Sequence, residues 1–384
     1  MNYFELIIAL LSIVVSFFSP IPAYIFSVIS LIMSGRKRSC AAGLSILAFC
    51  HSGSLIFASR DVFSESSDFP LYYEVFKDIC KISGTKMLNH YFNFEPGLPI
   101  FYFGASNIVP CDIRVQILIY LQSFIFSSAF LLLSHNVIYN QVEIKHRSLV
   151  LTGTCLYFPF FMTTQLGRQF GAMPFLVFAI YLAQHNASRI FTLSTAMLFH
   201  STSIITYIFA YLIRRFGYSL IITGSVLFFL SMPSLIEFAN QDNDLITSKL
   251  FFYSQSDIPE AGPASDKLTV AVSLFVYALT FFVKIKNALV IETRSLMFAV
   301  AALSALMLPF PLMSTRVFLF YVTIFGGFYI FHISASVNIK LGWVLIFLLL
   351  SARIFLFVNS GSGGEHSLWH NWPMWSVFPG YYFL

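Results

Sequence analysis

The sequence predicts an all-α, polytopic integral membrane protein, and three observations predict it. Hydrophobic residues make up 58% of the 384-residue chain and charged residues only 10%, with a mean hydropathy of +0.79. A soluble domain carries about 25% charged residues, so most of this chain must face lipid or other buried helices. The apolar stretches are continuous rather than alternating, which selects helices over a barrel. Most basic residues stand singly or in pairs near the ends of those stretches, where membrane anchoring puts them. The net charge of +5 therefore does not point to nucleic acid.

A crossing needs about 20 apolar residues. Candidate segments are 4–33 (bent near Pro20 and Pro22), 40–59, 113–134, 149–166, 168–185, 190–213, 219–239, 267–284, 294–313, 316–333 and 339–358. Residues 97–110 are apolar but short, as an interfacial or re-entrant piece would be. The expectation is a single transmembrane domain over 1–384 with about 10–12 membrane segments. The N-terminal stretch lacks a basic flank and its apolar run is long, so it reads as a retained first span. Of the five cysteines only Cys80 stands in a polar loop. No disulfide framework and no CxxC metal pair is visible.

Clusters of Lys and Arg mark the cytoplasmic side. "GRKRS" at 35–39, "KHR" at 145–147, "RR" at 214–215 and "KIK" at 284–286 are such clusters. They place loop 60–96, loop 240–266 and the tail 359–384 outside. Three full crossings between "KHR" and "RR" would separate those clusters, so one segment in 149–213 should be re-entrant or broken. Pro159, Pro174 and the polar "FHSTS" at 199–203 are the candidate places. Eleven of the 17 acidic residues fall in the two outer loops, six in 60–96 and five in 240–266. The outer face is therefore the place to look for chemistry.

In "DFPLYYEVFKD" at 68–78, the apolar residues Phe69, Tyr72, Tyr73 and Phe76 recur at helical spacing, with Glu74, Lys77 and Asp78 largely opposite. This predicts an amphipathic helix on the outer membrane surface. Asp68 suits an N-cap and Pro70 a first turn. The spacing favours that structural reading; the functional alternative makes Asp68 a general base or sugar ligand, and Tyr72 and Tyr73 a saccharide platform. Arg60 ends a span, as a snorkelling side chain or a ligand for a lipid phosphate. Glu95, in "FEPGLPIF", is a first-turn carboxylate or one held at the mouth of a site.

Arg168 and Gln169, in "GRQFGA", sit between two apolar runs at a predicted outer end. Arg316, in "STRVFLFY", has the same predicted place. Each is an ordinary loop arginine or a phosphate ligand. His200 lies within an apolar run, where an ionisable side chain is costly and is a functional hypothesis by default. His366 and His370 have a spacing that a helix could use for a metal, but Gly and Pro flank them and no carboxylate-rich pattern surrounds them. No metal site and no cofactor is predicted. Trp369, Trp372 and Trp375 suit an aromatic belt or sugar stacking. No Walker A loop, dinucleotide fingerprint or GxSxG elbow is present.

Taken in order, these residues resemble the EpsG family of exopolysaccharide proteins and the related Wzy-type O-antigen polymerases. The resemblance rests on Arg60, then Asp68 with Tyr72 and Phe76, "FEPG" at 94–97, "RQFGA" at 168–172, "FHSTS" at 199–203, and Arg316 before Tyr321. Ser67 stands where a glycine often precedes the Asp.

The resemblance implies a multi-pass protein of the bacterial inner membrane with a GT-C-like architecture. It implies a polymerase joining undecaprenyl-diphosphate-linked oligosaccharide repeat units on the periplasmic face. The growing chain is the donor and undecaprenyl diphosphate leaves. A Wzz-type chain-length regulator is the usual partner, beside the lipid bilayer. In this reading Asp68, Glu95 and His200 are catalytic candidates, and Arg60, Tyr72, Tyr73, Arg168, Gln169 and Arg316 bind substrate. Rival readings within the same pathway are a flippase for the lipid-linked unit, a membrane O-acyltransferase with His200 as base, and an O-antigen ligase.

Overall fold

The computed structural model describes residues 3–36, 39–63, 69–81, 95–201, 203–217, isolated positions within 219–298, 326–360 and 367–383. Regular structure among them is helical. Two compact units group the chain: Met1–Ile205 with Asn338–Leu384, and Thr206–Val337.

The first unit starts with α1 (Tyr3–Ser16) and α2 (Pro20–Ser34). These are an antiparallel hairpin and not one bent span, which corrects the reading of 4–33. Pro20 opens α2 at a first-turn position, where its missing N–H costs nothing. Ser12 Oγ donates to Ala23 O at 2.6 Å, and Ser30 Oγ to Glu5 O at 3.3 Å. The buried face of α1 is Ala9, Ser12 and Ser16, small enough to bring the two backbones together.

Next comes α3 (Cys40–Ala58), capped by Ser39, whose side chain accepts from Ala42 N. Ser45 of α3 bonds Ser30 at 2.6 Å and Ser34 at 3.0 Å, so hydroxyls join α3 to α2, and through Ser30 and Glu5 O to α1. Such bonds contribute about 0.6–2 kcal/mol each inside a membrane.

α4 (Phe69–Lys81) is the amphipathic helix the spacing predicts, burying Phe69, Tyr72, Phe76 and Ile79. That face packs on protein and not on lipid: the Phe76 ring meets Tyr102 of α5 (Gly97–Ser106) edge-on at 6.0 Å. α5 is short, as expected of the 97–110 piece. A disulfide joins Cys80 to Cys111, with Cα atoms 5.8 Å apart. The sequence reading saw no disulfide framework. The pair forms because α5 doubles back beside α4, which spacing alone does not reveal.

α6 (Val115–Gln141) runs antiparallel to α3, Ser123 meeting Ser54 and the later Ser127 meeting the earlier Cys50, and His51 also bonds Tyr120. α7 (Ile144–Tyr157) returns beside α2, and Ser148 Oγ donates to Ile32 O. Gly35 and Arg36, which open the first basic cluster, and the cluster at 145–147 thus lie at the same end of this unit.

After α7 the chain breaks into α8 (Met162–Gln165), α9 (Gly167–Val177, containing Pro174), a π turn at Phe178–Leu182 and α10 (Asn186–Phe199). The run expected over 190–213 is interrupted at His200, within "FHSTS", and α11 (Ser203–Phe216) starts anew. In the second unit the described part of the 316–333 segment is α12 (Gly327–Val337). α13 (Ile339–Asn359) rejoins the first unit, its Asn338 cap accepting from Lys340 N.

Among the described residues, α3, α6 and α13 are long and apolar enough to cross a membrane. The segments proposed at 219–239, 267–284 and 294–313 lie mostly outside the described residues, and loop 240–266 and residues 64–68 and 82–94 lie wholly outside them.

The tail 367–383 straps the end opposite the basic clusters. Trp369 N donates to Ser59 Oγ, Asn371 N to Ser59 O, Ser376 N to Phe18 O, and Tyr382 Oη to Ser16 O. Trp369 adopts a left-handed φ of 63°, uncommon outside glycine, and its indole N–H donates to Phe357 O at 2.7 Å.

Candidate functional site

Three motifs far apart in sequence meet at one place in the first unit. Glu95 leads into Pro96 and α5. Arg168 is the second residue of α9. His200 and Ser201 follow the end of α10, where the backbone turns extended.

Phe199 is what brings them together. A Cβ on Gly97 would lie 2.8 Å from Phe199 Cα, and a Cβ on Gly171 would collide with the Phe199 ring. Only glycine at these positions lets the end of α10 settle against the starts of α5 and α9. The ring also stacks on Phe175 at 5.8 Å and meets Phe126 edge-on at 6.0 Å. So the glycine of "FEPG", the glycine of "RQFGA" and the phenylalanine of "FHSTS" form one contact.

Glu95 is the hub. Its side chain is 8% exposed and pairs with the Arg168 guanidinium at 2.9 Å. Ser201 donates its backbone N–H at 2.8 Å and its hydroxyl at 2.7 Å to Glu95 Oε1. The Ser201 N–H is available because the helix has broken. The buried Nδ1 of His200 lies 3.2 Å from the same oxygen, within charge range but not aligned as a hydrogen bond. Burial alone would raise the Glu95 pKa. His200 and the two Ser201 donors outweigh it and hold the carboxyl at about 2. Glu95 is therefore ionised across the physiological range, and such a weakly basic carboxylate suits orienting cations better than taking protons.

Arg168 is 47% exposed, so its guanidinium meets both Glu95 and solvent. Arg60 is placed differently. It is 1% exposed at the end of α3 and donates to Thr164 Oγ1, four residues before Arg168. Its carbonyl accepts from Asn371 Nδ2 of the tail at 2.6 Å. Beside it a buried relay runs from Tyr102 Oη to Gln122 Oε1 at 2.6 Å, and from Gln122 Nε2 to Thr163 O at 2.7 Å. The 162–168 segment thus ties the surroundings of Arg60 to those of Arg168.

Of the other expected site residues, Gln169 is buried. Tyr72 is buried, its ring edge-on to Phe69 at 6.3 Å. Tyr73 donates to Ile113 O at 2.7 Å and carries the Lys77 ammonium 4.2 Å above its ring. Asp68, Arg316 and His366 lie outside the described residues. His370 sits 3.9 Å from Asp61, in a tail segment without helix. Among the described residues no group of His, Cys, Asp and Glu could hold a metal ion.

Ser201 stands in the polar motif where a broken helix is expected, and the break after α10 exposes its N–H. One feature escaped the sequence reading. Arg353 lies within the apolar run 339–358 and was absorbed into it. A search for single charges inside candidate spans would have found it.

No curated protein and no solved structure matches this chain. Residues 45–370 match the EpsG family, a stretch that contains Glu95, Arg168 and His200 and the motifs that carry them. EpsG proteins are Wzy-type exopolysaccharide polymerase-like proteins. With most of its length matched, this chain belongs to the EpsG family.

Proposed function

We propose that this protein is an O-antigen or exopolysaccharide polymerase of the bacterial inner membrane, with a GT-C-like architecture. EpsG membership supports a polysaccharide polymerase-like, glycosyltransferase-like activity in general. The finer reading rests on one observation: Glu95, Arg168, His200 and Ser201 converge at the end of the first unit opposite its basic clusters. The positive-inside rule makes that end periplasmic. The Cys80–Cys111 bond supports the same side, since disulfides persist in oxidising compartments.

In this reading an undecaprenyl-diphosphate-linked chain is the donor and a lipid-linked repeat unit the acceptor. The acceptor hydroxyl oxygen bonds to the anomeric carbon of the donor. The bond from that carbon to the diphosphate oxygen breaks, its electron pair leaving with undecaprenyl diphosphate. The hydroxyl proton passes to a base. Asp68 is the candidate for that base, with His200 the other, because Glu95, held at about 2 by its neighbours, is too weakly basic to take the proton well. Glu95 positions Arg168 and His200. Arg168, Arg60 and Arg316 are the cations for the negative charge that develops on the leaving diphosphate. Tyr72, Tyr73 and Gln169 shape the sugar-facing surroundings. A Wzz-type regulator would set chain length.

Deleting the gene and resolving the surface glycan on a gel tests this. A polymerase loss leaves one repeat unit per lipid core. A flippase loss leaves none, and an acyltransferase loss leaves full-length chains. A ligase loss leaves the core bare while lipid-linked polymer accumulates. Any pattern but the first rejects the proposal.

A further inference from the structure

The three long apolar helices, α3, α6 and α13, contain two residues of the Asp, Glu, Lys and Arg types. Lys340 stands at the very start of α13. Arg353 does not: it lies six residues before the helix ends at Asn359, or about 9 Å along the axis. A cation at that depth is costly unless something anionic compensates it.

Among the described residues Arg353 enters no ion pair, and its printed hydrogen bond is a long one, from Nη2 to Phe158 O at 3.4 Å. Phe158 caps the end of α7, where Pro159 stops the helix. Two tyrosines stand on the adjoining helices: Tyr157 of α7 directly precedes Phe158, and Tyr24 of α2 meets the Phe357 ring of α13. The side chain is part-exposed, so it is not sealed in. The helix is fixed with this side inward: Phe357, one turn on, packs edge-on against Tyr24 at 5.2 Å and Phe57 at 5.7 Å. The Trp369 indole then ties the Phe357 carbonyl to the tail.

We propose that Arg353, with the hydroxyls of Tyr24 and Tyr157, is a binding site for the phosphate group of a membrane lipid, and that the lipid is the polyprenyl diphosphate of the reaction above. A guanidinium, with a phenol on each of two adjoining helices, offers several donors to a phosphate oxyanion. Its depth suits a phosphate held on a chain that remains in the bilayer. The other way to use this arginine is as a cap on the α7 carbonyls, with no ligand. The inference rests on the polymerase reading for the identity of the lipid, and on Arg353 alone for the existence of the site.

The test uses the full-length protein in detergent, titrated with undecaprenyl diphosphate, phosphatidylglycerol or inorganic pyrophosphate, and read by thermal shift and tryptophan fluorescence. The wild type should bind undecaprenyl diphosphate in preference to the other two. Arg353→Gln should weaken that binding about tenfold or more. Arg353→Lys should retain part of it, and Tyr157→Phe should weaken it less than Arg353→Gln. Arg353→Lys and Tyr157→Phe also serve if Arg353→Gln does not fold. Unchanged affinity in all folded variants overturns the site while leaving the polymerase reading intact. Equal, Arg353-dependent binding of phosphatidylglycerol overturns the choice of lipid. A wild type that does not bind undecaprenyl diphosphate overturns this inference and the polymerase reading together.

Discussion

Glu95 and Arg168 are 73 positions apart and pair at 2.9 Å, the carboxylate buried and the guanidinium half in solvent. The pair joins the start of α5 to the start of α9, and Ser201 adds the break after α10. A carboxylate so placed neutralises part of the arginine's charge and fixes its direction.

The pH dependence of stability follows from this geometry. The Glu95 carboxyl is held at about 2 in the folded protein, below its ordinary value of 4.5. A depressed carboxylate stabilises the fold above its unfolded pKa and loses that contribution as pH falls through the folded one. Between about pH 4.5 and 2 the wild type should lose thermal stability progressively in detergent. Glu95→Gln should lose less over the same window. Parallel curves for the two proteins would contradict the placement of Glu95.

The glycines around Phe199 give a second expectation. Gly97→Ala should destabilise by about 1–3 kcal/mol, because the new methyl meets backbone as well as ring. Gly171→Ala meets the ring alone, so it should cost less and be partly rescued by Phe199→Leu. Thermal melts of the singles and the double in detergent check this. Additive losses in the double would contradict the shared contact.

The disulfide gives a third. Cys80→Ser and Cys111→Ser should each lower stability by about 2–4 kcal/mol. The double variant should be no worse than either single. Alkylation with a maleimide-polymer reagent, before and after reduction, should reveal two additional reactive thiols in the wild type after reduction and one more in neither single. Two thiols reactive without reduction would contradict both the bond and the oxidising side.

The sequence carried the helical class, the amphipathic period of α4 and the polar break at 199–203, because each is local. It also carried the three motifs of the site, but not their meeting, which depends on Phe199 lodging between two glycines from other helices. The hairpin over 4–33 was read as one bent span, since prolines mark a helix start and a kink alike. Cys80 and Cys111 became partners only through the path of α5. Arg60 was expected at an open span end. It is buried because the tail, some 310 residues later, lies over it. Arg353 was hidden by the apolar average around it.

The most direct measurement is chain growth by purified, reconstituted protein given its lipid-linked repeat unit. Polymer length and released undecaprenyl diphosphate are read together for the wild type, Arg168→Gln and Glu95→Gln. The account predicts a ladder from the wild type, with one diphosphate lipid released per linkage. It predicts little or no ladder from folded Arg168→Gln, and slow growth from Glu95→Gln. A full ladder from both variants, or none from active wild-type membranes, would contradict it.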